Sequence, residues 1–279
     1  MKCRLALLIT VIYLLPSVVF SQNDTSIQRK NVFTSGVTYQ SRLHYFGRTD
    51  SLKSSGLFPS IGYELKQGLY ANANFVFVSS AATPLNYAGT AIEAGYKFPK
   101  SRNFSGNLFY SHFLYKDNSE LVQSALKGQA GINFTWNNKI VNVNGGADAK
   151  FSNKTDLGLT AGLDHLFLHL FPGTKNAIAV NPSFYAYAGT QNFTQTYYKN
   201  RKLGGIISGQ QKVTEDVKRL TALSYEASVP VVLVLNKFNA SVTGSYVMPQ
   251  NLVTVPNRPD LTENGKNMFY FLVGVGVRL

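Results

Sequence analysis

Residues 125–136 read ALKGQAGINFTW, and the two interleaved sets of positions in this stretch differ in polarity. The apolar or small set consists of Leu126, Gly128, Ala130, Ile132, Phe134 and Trp136. The polar or small set consists of Lys127, Gln129, Gly131, Asn133 and Thr135. A helix would scatter both sets around its axis, whereas a strand puts each set on its own face. The stretch therefore predicts a long amphipathic β-strand.

Similar alternation recurs along the chain and predicts about twelve strands, an even number as in bacterial single-chain barrels. The other eleven runs are Phe33–Tyr45, Leu57–Leu65, Leu69–Ser79, Tyr87–Phe98, Gly106–Lys116, Ile140–Phe151, Asp156–Leu168, Asn176–Tyr187, Leu223–Leu235, Phe238–Met248 and Met268–Leu279. Most cover about ten to thirteen residues, which suffices to cross a bilayer at a tilt. The links between runs are mostly short and long in turn, with Gly189–Arg219 the longest, as in outer-membrane barrels.

The first residues predict a secretory signal peptide over Met1–Ser21. A basic start is followed by the apolar run Leu5–Leu15, which is too short to span a bilayer as a helix. Cys3 is the only cysteine, so a mature chain would have no disulfide and no thiolate metal site. The chain carries a formal charge of +13, and removal of Lys2 and Arg4 with the leader leaves +11.

Composition also favours a β-structure that meets lipid. Aromatic residues make up 13% of the chain and charged residues only 15%, below the roughly 25% of soluble proteins. A secreted soluble β-sandwich or calycin-like barrel is the alternative, since alternation does not say which face points outward. Strand length, Tyr and Trp near strand ends, and the dense polar face favour the membrane. We therefore predict an all-β fold: one closed antiparallel transmembrane β-barrel over residues 22–279.

The chain resembles outer-membrane β-barrel proteins of the Bacteroidetes, many of them uncharacterised. The resemblance rests on the Phe20-Ser21-Gln22 junction, the alternating strands and the amphipathic ending Met268–Leu279. The stretches Ala186–Thr194 and Val255–Leu261 also look like signatures of one such group. The resemblance implies the fold and a location in the outer membrane, and it implies no reaction.

The polar faces of the predicted strands suggest a hydrated lumen and a narrow passive channel. The candidate lumen-lining residues are Arg42, Glu64, Glu93, Lys97, Lys127, Asp148, Lys150, Asp164, Glu226 and Arg278. These acids and bases nearly balance. The long connection adds a candidate basic loop, formed by Lys199, Arg201, Lys202, Lys212, Lys218 and Arg219. A basic mouth would raise the local anion concentration, so weakly anionic solutes are expected.

Two alternatives remain open: a surface-binding or structural barrel that uses its long loops, and a membrane-embedded lipid hydrolase. A hydrolase needs a His beside a Ser, and no such motif stands out. His165 and His169 lie four residues apart on one strand, about 13 Å from each other, too far to share a metal. We expect no catalytic residue, no metal and no cofactor.

Expected partners follow from the location. They are outer-membrane lipid, lipopolysaccharide and, during insertion, the barrel-assembly machinery, with no nucleic acid. Trp136, the only tryptophan, ends a strand beside a short turn and is expected to lie outside the barrel at the periplasmic membrane interface.

Overall fold

The computed structural model describes residues 30–48, 54–81, 84–101, 103–115, 126–152, 154–192, 219–252 and 265–279. Its first seven strands are β1 (Val32–Gln40), β2 (Ser55–Glu64), β3 (Leu69–Ser79), β4 (Asn86–Lys97), β5 (Phe104–Tyr115), β6 (Gly128–Trp136) and β7 (Asn142–Phe151). The others are β8 (Thr155–Asp164), β9 (Phe167–Leu170), β10 (Ala177–Val180), β11 (Ser183–Gly189), β12 (Thr221–Leu235), β13 (Phe238–Pro249) and β14 (Met268–Arg278). The predicted signal peptide lies outside the described residues.

Within the described residues, no helix is long and apolar enough to cross a membrane.

The fourteen strands occupy twelve positions around one sheet. β8 pairs with β11, and β9 pairs with β10. Both pairings share one register, because the Ser183–Asp164 and Ala177–Leu170 partners belong to the same antiparallel ladder. The His165 N–H donates to the Pro182 carbonyl at 3.1 Å across the gap between these segments. β9 therefore continues β8, and β11 continues β10, which confirms the number of strands that the sequence predicts.

The sheet is closed and antiparallel throughout. Each strand position pairs with the next along the chain, and β1 closes the sheet by pairing with β14 from Thr34–Arg278 to Gln40–Leu272. Closure leaves no open edge along these ladders, as a β-structure in lipid requires. The prediction of a closed antiparallel barrel is confirmed.

The two ends of the barrel differ as the alternation of link lengths predicts. One end, the short-turn end, carries the turns at residues 65–68, 98–103, 137–141, 171–176 and 236–237, together with the start of β1 and the end of β14. The other, the long-loop end, carries the remaining connections.

Four apolar residues face differently from the prediction. Leu43, Tyr45, Leu126 and Leu223 belong to the apolar sets of their predicted runs, which would place them on the outer face, but all four are buried at the long-loop end. β1 ends at Gln40, so Leu43 and Tyr45 lie in a segment that folds inward. Leu126 precedes β6, and the register between β11 and β12 shifts at Tyr187/Ala188, which turns Leu223 toward the interior. Alternation stops predicting a side chain's direction where the ladder ends or shifts.

Candidate functional site

The barrel is apolar outside and polar inside. Large apolar side chains such as Ile132, Val242 and Val275 point outward and are 39%, 53% and 60% exposed. Ser111, Gln129 and Ser245 point inward and are almost fully buried. Such inverted polarity on a closed sheet of this height defines a transmembrane β-barrel, because lipid tails solvate the apolar face and the polar face lines a lumen.

A continuous row of hydrogen-bonding residues climbs the inner wall. Members of this polar row are direct partners on adjacent strands, in the order Arg278, Thr34, Gly62, Asn72, Glu93, Ser111, Gln129, Lys150 and Asp156. The row begins at the short-turn end and finishes at the long-loop end. Apart from Gly62, every member carries a polar or charged side chain, so the wall offers polar groups along its whole height.

The next row alternates large residues with glycine. It runs Glu64, Tyr70, Gly95, Phe109, Gly131, Asp148, Gly158, Gly189 and Thr221 on consecutive strands. A Cβ at Gly95 would lie 2.6 Å from the Tyr70 ring, and one at Gly131 would lie 2.7 Å from the Phe109 ring. Each aromatic ring therefore lies flat over the glycine of the neighbouring strand instead of projecting toward the barrel axis.

Glu64 and Glu93 belong to a hydrogen-bonded group in the lower and middle lumen. The Lys97 ammonium contacts Glu64 at 2.6 Å and lies 5.4 Å from the Tyr70 ring centroid. The Glu93 carboxylate accepts hydrogen bonds from the Tyr70 hydroxyl at 3.1 Å and the Ser111 hydroxyl at 2.9 Å. Lys97 thus has an acidic partner, and Glu93 is held by hydroxyl donors.

On the facing wall, Glu226 occupies a second group of hydroxyl donors. Tyr270 donates to Glu226 at 2.6 Å and Ser228 donates to the same oxygen at 3.3 Å. Ser228 and Ser245 also share a hydrogen bond of 2.8 Å. Sequence reasoning missed Tyr270 and both serines, because the spacing of residues on β12, β13 and β14 does not reveal which side chains meet.

The remaining inward acids lie at the two ends of β7 and β8. Lys150 forms an ion pair with Asp148 near the long-loop end. Asp164 accepts hydrogen bonds from the amides of Asn142 and Asn144 near the short-turn end. Asp148, Lys150 and Asp164 all lie on the inward faces of β7 and β8.

An inward-folded segment, Ser41–Arg48, fills part of the mouth at the long-loop end. We call this segment the plug. Its Tyr45 and Phe46 form one apolar cluster with Ala91 of β4, Phe113 of β5, Leu126 and Leu223 of β12. Phe46 packs on Tyr187 with ring centroids 5.3 Å apart, and the Lys150 ammonium lies 5.8 Å from the Phe46 centroid. Because β4 and β12 belong to opposite walls, this cluster narrows the lumen.

Arg48 locks the plug in place. Its guanidinium donates to the carbonyls of Phe46 and Leu223 at 3.3 and 3.2 Å and to Gln191 Oε1 at 3.0 Å. Further hydrogen bonds reach the carbonyls of Gln250 and Asn251 at 3.1 and 3.5 Å. Arg48 is 4% exposed. Nothing in the alternation pattern singles it out, because it lies beyond the end of β1.

His44 is the buried titratable group of the plug. The Gly47 N–H donates to His44 Nδ1 at 3.2 Å, and the His44 ring packs on Tyr270 with centroids 4.4 Å apart. Burial lowers the pKa of His44 from 6.5 to about 3, so the ring is neutral when the plug is docked.

The start of the longest connection is anchored, which gives the stretch Ala186–Thr194 a structural role. The Asp156 carboxylate accepts hydrogen bonds from the Thr190 hydroxyl at 2.7 Å and the Asn192 N–H at 2.6 Å. Gln191 between them is 3% exposed and accepts from Arg48. The residues that carry part of the resemblance therefore tie the loop base to the plug.

Three candidate lumen residues lie at the ends of the barrel. Lys127 is exposed and precedes β6, Arg278 is exposed at the short-turn end, and Arg42 is half-buried just after β1. Lys127 lies at the rim of the barrel, where its N–H donates to the Phe151 carbonyl at 2.7 Å and its carbonyl accepts from the Phe113 N–H at 3.0 Å. Of the candidate basic loop, Arg219 is exposed, and Lys199, Arg201, Lys202, Lys212 and Lys218 lie outside the described residues.

The tryptophan and the other histidines lie on the outside. Trp136 ends β6 on the outer face, 51% exposed, beside the turn at residues 137–141. The His165 and His169 rings pack against Phe167 and Phe171, with centroids 4.5 and 5.3 Å apart. His112 is exposed on the outward face of β5. None of the histidines outside the plug therefore approaches the lumen serines.

Within the described residues, no group of three or more His, Cys, Asp and Glu side chains is arranged to hold a metal ion.

Comparison with known proteins finds similar folds only among solved structures. No family model matches the chain, and no curated protein matches it. The KdgM porin is 11% identical, with 88% of this chain and 98% of that chain covered and a TM-score of 0.46. The NanC porin is 10% identical, with coverage of 88% and 100% and a TM-score of 0.47. LpxR from Salmonella typhimurium is 10% identical, with coverage of 88% and 99% and a TM-score of 0.48.

Proposed function

We propose that this protein is an outer-membrane β-barrel that acts as a narrow passive channel for small solutes, with the plug as its constriction. The observation that carries the proposal is the polar row from Arg278 to Asp156, which runs the full height of the lumen. A wall of this polarity is costly unless it is hydrated or fully paired. Ser111, Lys150 and Asp156 in the upper part of the row are buried and paired with Glu93, Asp148 and Thr190, whereas water can reach Thr34 and Asn72 lower in the row.

The row from Glu64 to Thr221 keeps bulky rings close to the barrel wall. Tyr70 and Phe109 lie over Gly95 and Gly131, so these bulky rings take up wall rather than lumen. Twelve strands also lie between the eight that fill themselves with side chains and the sixteen that leave a wide aqueous pore.

The plug makes the channel a gated one. Its apolar cluster narrows the path at the long-loop end, and apolar constrictions stop conduction when water leaves them. Arg48 holds the cluster closed through five hydrogen bonds to four backbone carbonyls and Gln191. Displacement of the plug would therefore raise conductance.

The proposal also covers the orientation of the barrel in the outer membrane and its partners there. The apolar outer face fits a bilayer, and the β14 strand fits recognition by the barrel-assembly machinery. We place the long-loop end toward the cell exterior, against lipopolysaccharide, and the short-turn end toward the periplasm. Membership among the Bacteroidetes barrels is also proposed, on the motifs that the sequence shares with them.

Single-channel recording of an Arg48→Gln variant tests the function. Loss of the Arg48 hydrogen bonds should loosen the plug and raise mean conductance or open probability severalfold. Arg219→Gln is the matched control, because it removes an exposed arginine at the same end. Heat-modifiable migration on gels verifies that both variants fold. A folded wild type and a folded Arg48→Gln variant that both give no conductance steps would refute the channel.

A further inference from the structure

Acidic and basic side chains are segregated in this barrel. Every acidic residue in the described part of the chain faces the lumen: Glu64, Glu93, Asp148, Asp156, Asp164 and Glu226. Most basic residues of the same part are exposed at turns, loops and chain ends, namely Lys30, Lys66, Lys100, Lys127, Lys139, Lys154, Lys175, Arg219, Lys237, Lys266 and Arg278. A chain of formal charge +13 therefore has an acid-rich interior.

The lysines that do point inward are neutralised by carboxylates. Lys97 is paired with Glu64 at 2.6 Å, and Lys150 is paired with Asp148. Arg48 belongs to the mouth and donates hydrogen bonds to carbonyl and amide oxygens. Glu93 and Glu226 form no salt bridge within the described residues, and their hydrogen-bond donors are the hydroxyls of Tyr70, Ser111, Tyr270 and Ser228.

Glu93 and Glu226 face each other across the lumen at nearly the same height. β4 and β12 are six positions apart in a ring of twelve, so they form opposite walls. Followed through β5 to β8, the polar row that contains Glu93 climbs to the long-loop end, toward the long-loop end of β12. Followed the other way through β3, β2, β1 and β14, the row descends to Arg278 and then to Lys237, beside the short-turn end of β12. Because all strands share one tilt, the height of Glu93 corresponds to the middle of β12, near Ser228. Glu226 is two residues away.

A further oxygen lies beside Glu226. Ser224 is on the same inward face of β12, is fully buried, and its hydroxyl has no hydrogen-bond partner within the described residues. Because Ser224 is fully buried, a permeating ion cannot contact it, and its hydroxyl acts on the lumen only as a dipole beside Glu226.

We propose that the lumen prefers small inorganic cations over anions and that the facing carboxylates Glu93 and Glu226 set this preference. The inference rests on the proposed channel function and names its solute class. It differs from the weakly anionic solutes expected from the sequence, because that expectation gave the charge of the long loop the decisive role, whereas the inward Lys97 and Lys150 are paired with carboxylates. The exposed lysines and arginines at the rims are screened by salt, whereas lumen charges are screened much less.

Reversal potentials in a KCl gradient across a planar bilayer test the proposal. The reversal potential of the wild type should have the sign expected for a channel that passes K⁺ more readily than Cl⁻. Glu93→Gln/Glu226→Gln should lower the K⁺/Cl⁻ permeability ratio by about twofold or more. Lys154→Gln/Lys266→Gln is the control. It lowers the net charge by two at the exposed rim, whereas the glutamate double variant raises the net charge by two inside the lumen. At high salt the ratio of the lysine double variant should equal that of the wild type.

Each outcome has a distinct meaning. Anion preference in the wild type, or an unchanged ratio in the folded Glu93→Gln/Glu226→Gln variant, would overturn the selectivity while leaving the channel in place. No conductance steps in the wild type and in Arg48→Gln would overturn the channel and the selectivity together. Heat-modifiable migration separates both results from failed folding, and Glu93→Gln and Glu226→Gln measured singly replace the double variant if it does not fold.

Discussion

At the residue scale, inward glycines decide how much of the lumen the wall side chains occupy. Tyr185 of β11 and Gly162 of β8 are direct partners, and the Tyr185 ring lies over Gly162 so closely that a Cβ there would overlap ring carbons. The same arrangement joins Tyr70 to Gly95 and Phe109 to Gly131. A methyl group at such a glycine must push the ring toward the axis or strain the ladder.

Gly162→Ala should therefore destabilise the barrel by about 1–3 kcal/mol and reduce conductance. The change in unfolding free energy is measured in urea or guanidinium with the protein in lipid or detergent. Gly244→Ala is the matched control, because Gly244 faces outward and a Cβ there would lie 3.3 Å from the Phe269 ring, where the neighbour needs to shift only slightly. The double variant Gly162→Ala/Tyr185→Ala should lose less stability than the sum of the two single losses. A double variant that only adds the two losses would contradict the packing account.

At the element scale, sequence alternation predicts the strands well because a strand has a strict period of two. One face of each strand meets lipid and the other meets the polar lumen. All twelve predicted runs correspond to strand positions. The plug could not be predicted in this way. Leu43 and Tyr45 continue the alternation of β1, but they are buried by contacts with distant strands that local pattern does not encode. Arg48 and His44 were missed for the same reason, and Glu226 was found without its partner Tyr270.

The plug should loosen in acid because of His44. Its pKa is about 3 when docked and returns toward 6.5 when the plug is displaced, so a proton binds the displaced state more tightly. The docked state thus keeps its full stability above about pH 6.5 and loses stability as the pH falls toward 3. Hydrogen exchange of a peptide covering residues 41–48, corrected for intrinsic rates, should increase between pH 7 and about pH 4.

His44→Phe provides the control for this acid response. Phenylalanine can keep an aromatic contact with Tyr270 and does not titrate, so exchange of the plug should lose its pH dependence. The same acid-induced increase in His44→Phe would show that another group controls the plug, such as Glu226 or Asp156, which lie near it on β12 and β8.

At the scale of the whole molecule, the charge distribution fixes how the barrel meets the membrane. Each of the five short turns carries an exposed lysine, namely Lys66, Lys100, Lys139, Lys175 and Lys237. Outward aromatic residues lie just above this lysine ring, Trp136 and Phe104 among them. Amphipathic rings at headgroup depth next to a belt of positive charge favour an interface rich in anionic phospholipid.

Trp136 reports on this interface directly, because it is the only tryptophan and lies beside two of the lysine-bearing turns. The Asn137 N–H donates to the Asn103 carbonyl at 2.8 Å, so the turns with Lys100 and Lys139 are neighbours. In mixed bilayers, phosphatidylglycerol brominated near the headgroup should quench Trp136 more strongly than equally brominated phosphatidylcholine at the same mole fraction. The difference should shrink as salt rises, since each lysine contributes about 1 kcal/mol of screened attraction.

Lys100→Gln/Lys139→Gln should abolish the difference between the two brominated lipids, while Lys154→Gln/Lys266→Gln, at the opposite end, should preserve it. A second variant, Trp136→Phe/Ile132→Trp, moves the fluorophore four residues along the outward face of β6, toward the middle of the bilayer. Its emission should be quenched best by lipids brominated deep in the acyl chain. Equal quenching by both headgroups in the wild type would show that the lysine ring does not select lipid. Quenching of Trp136 only by a water-soluble agent would place the short-turn end outside the membrane and contradict the transmembrane orientation itself.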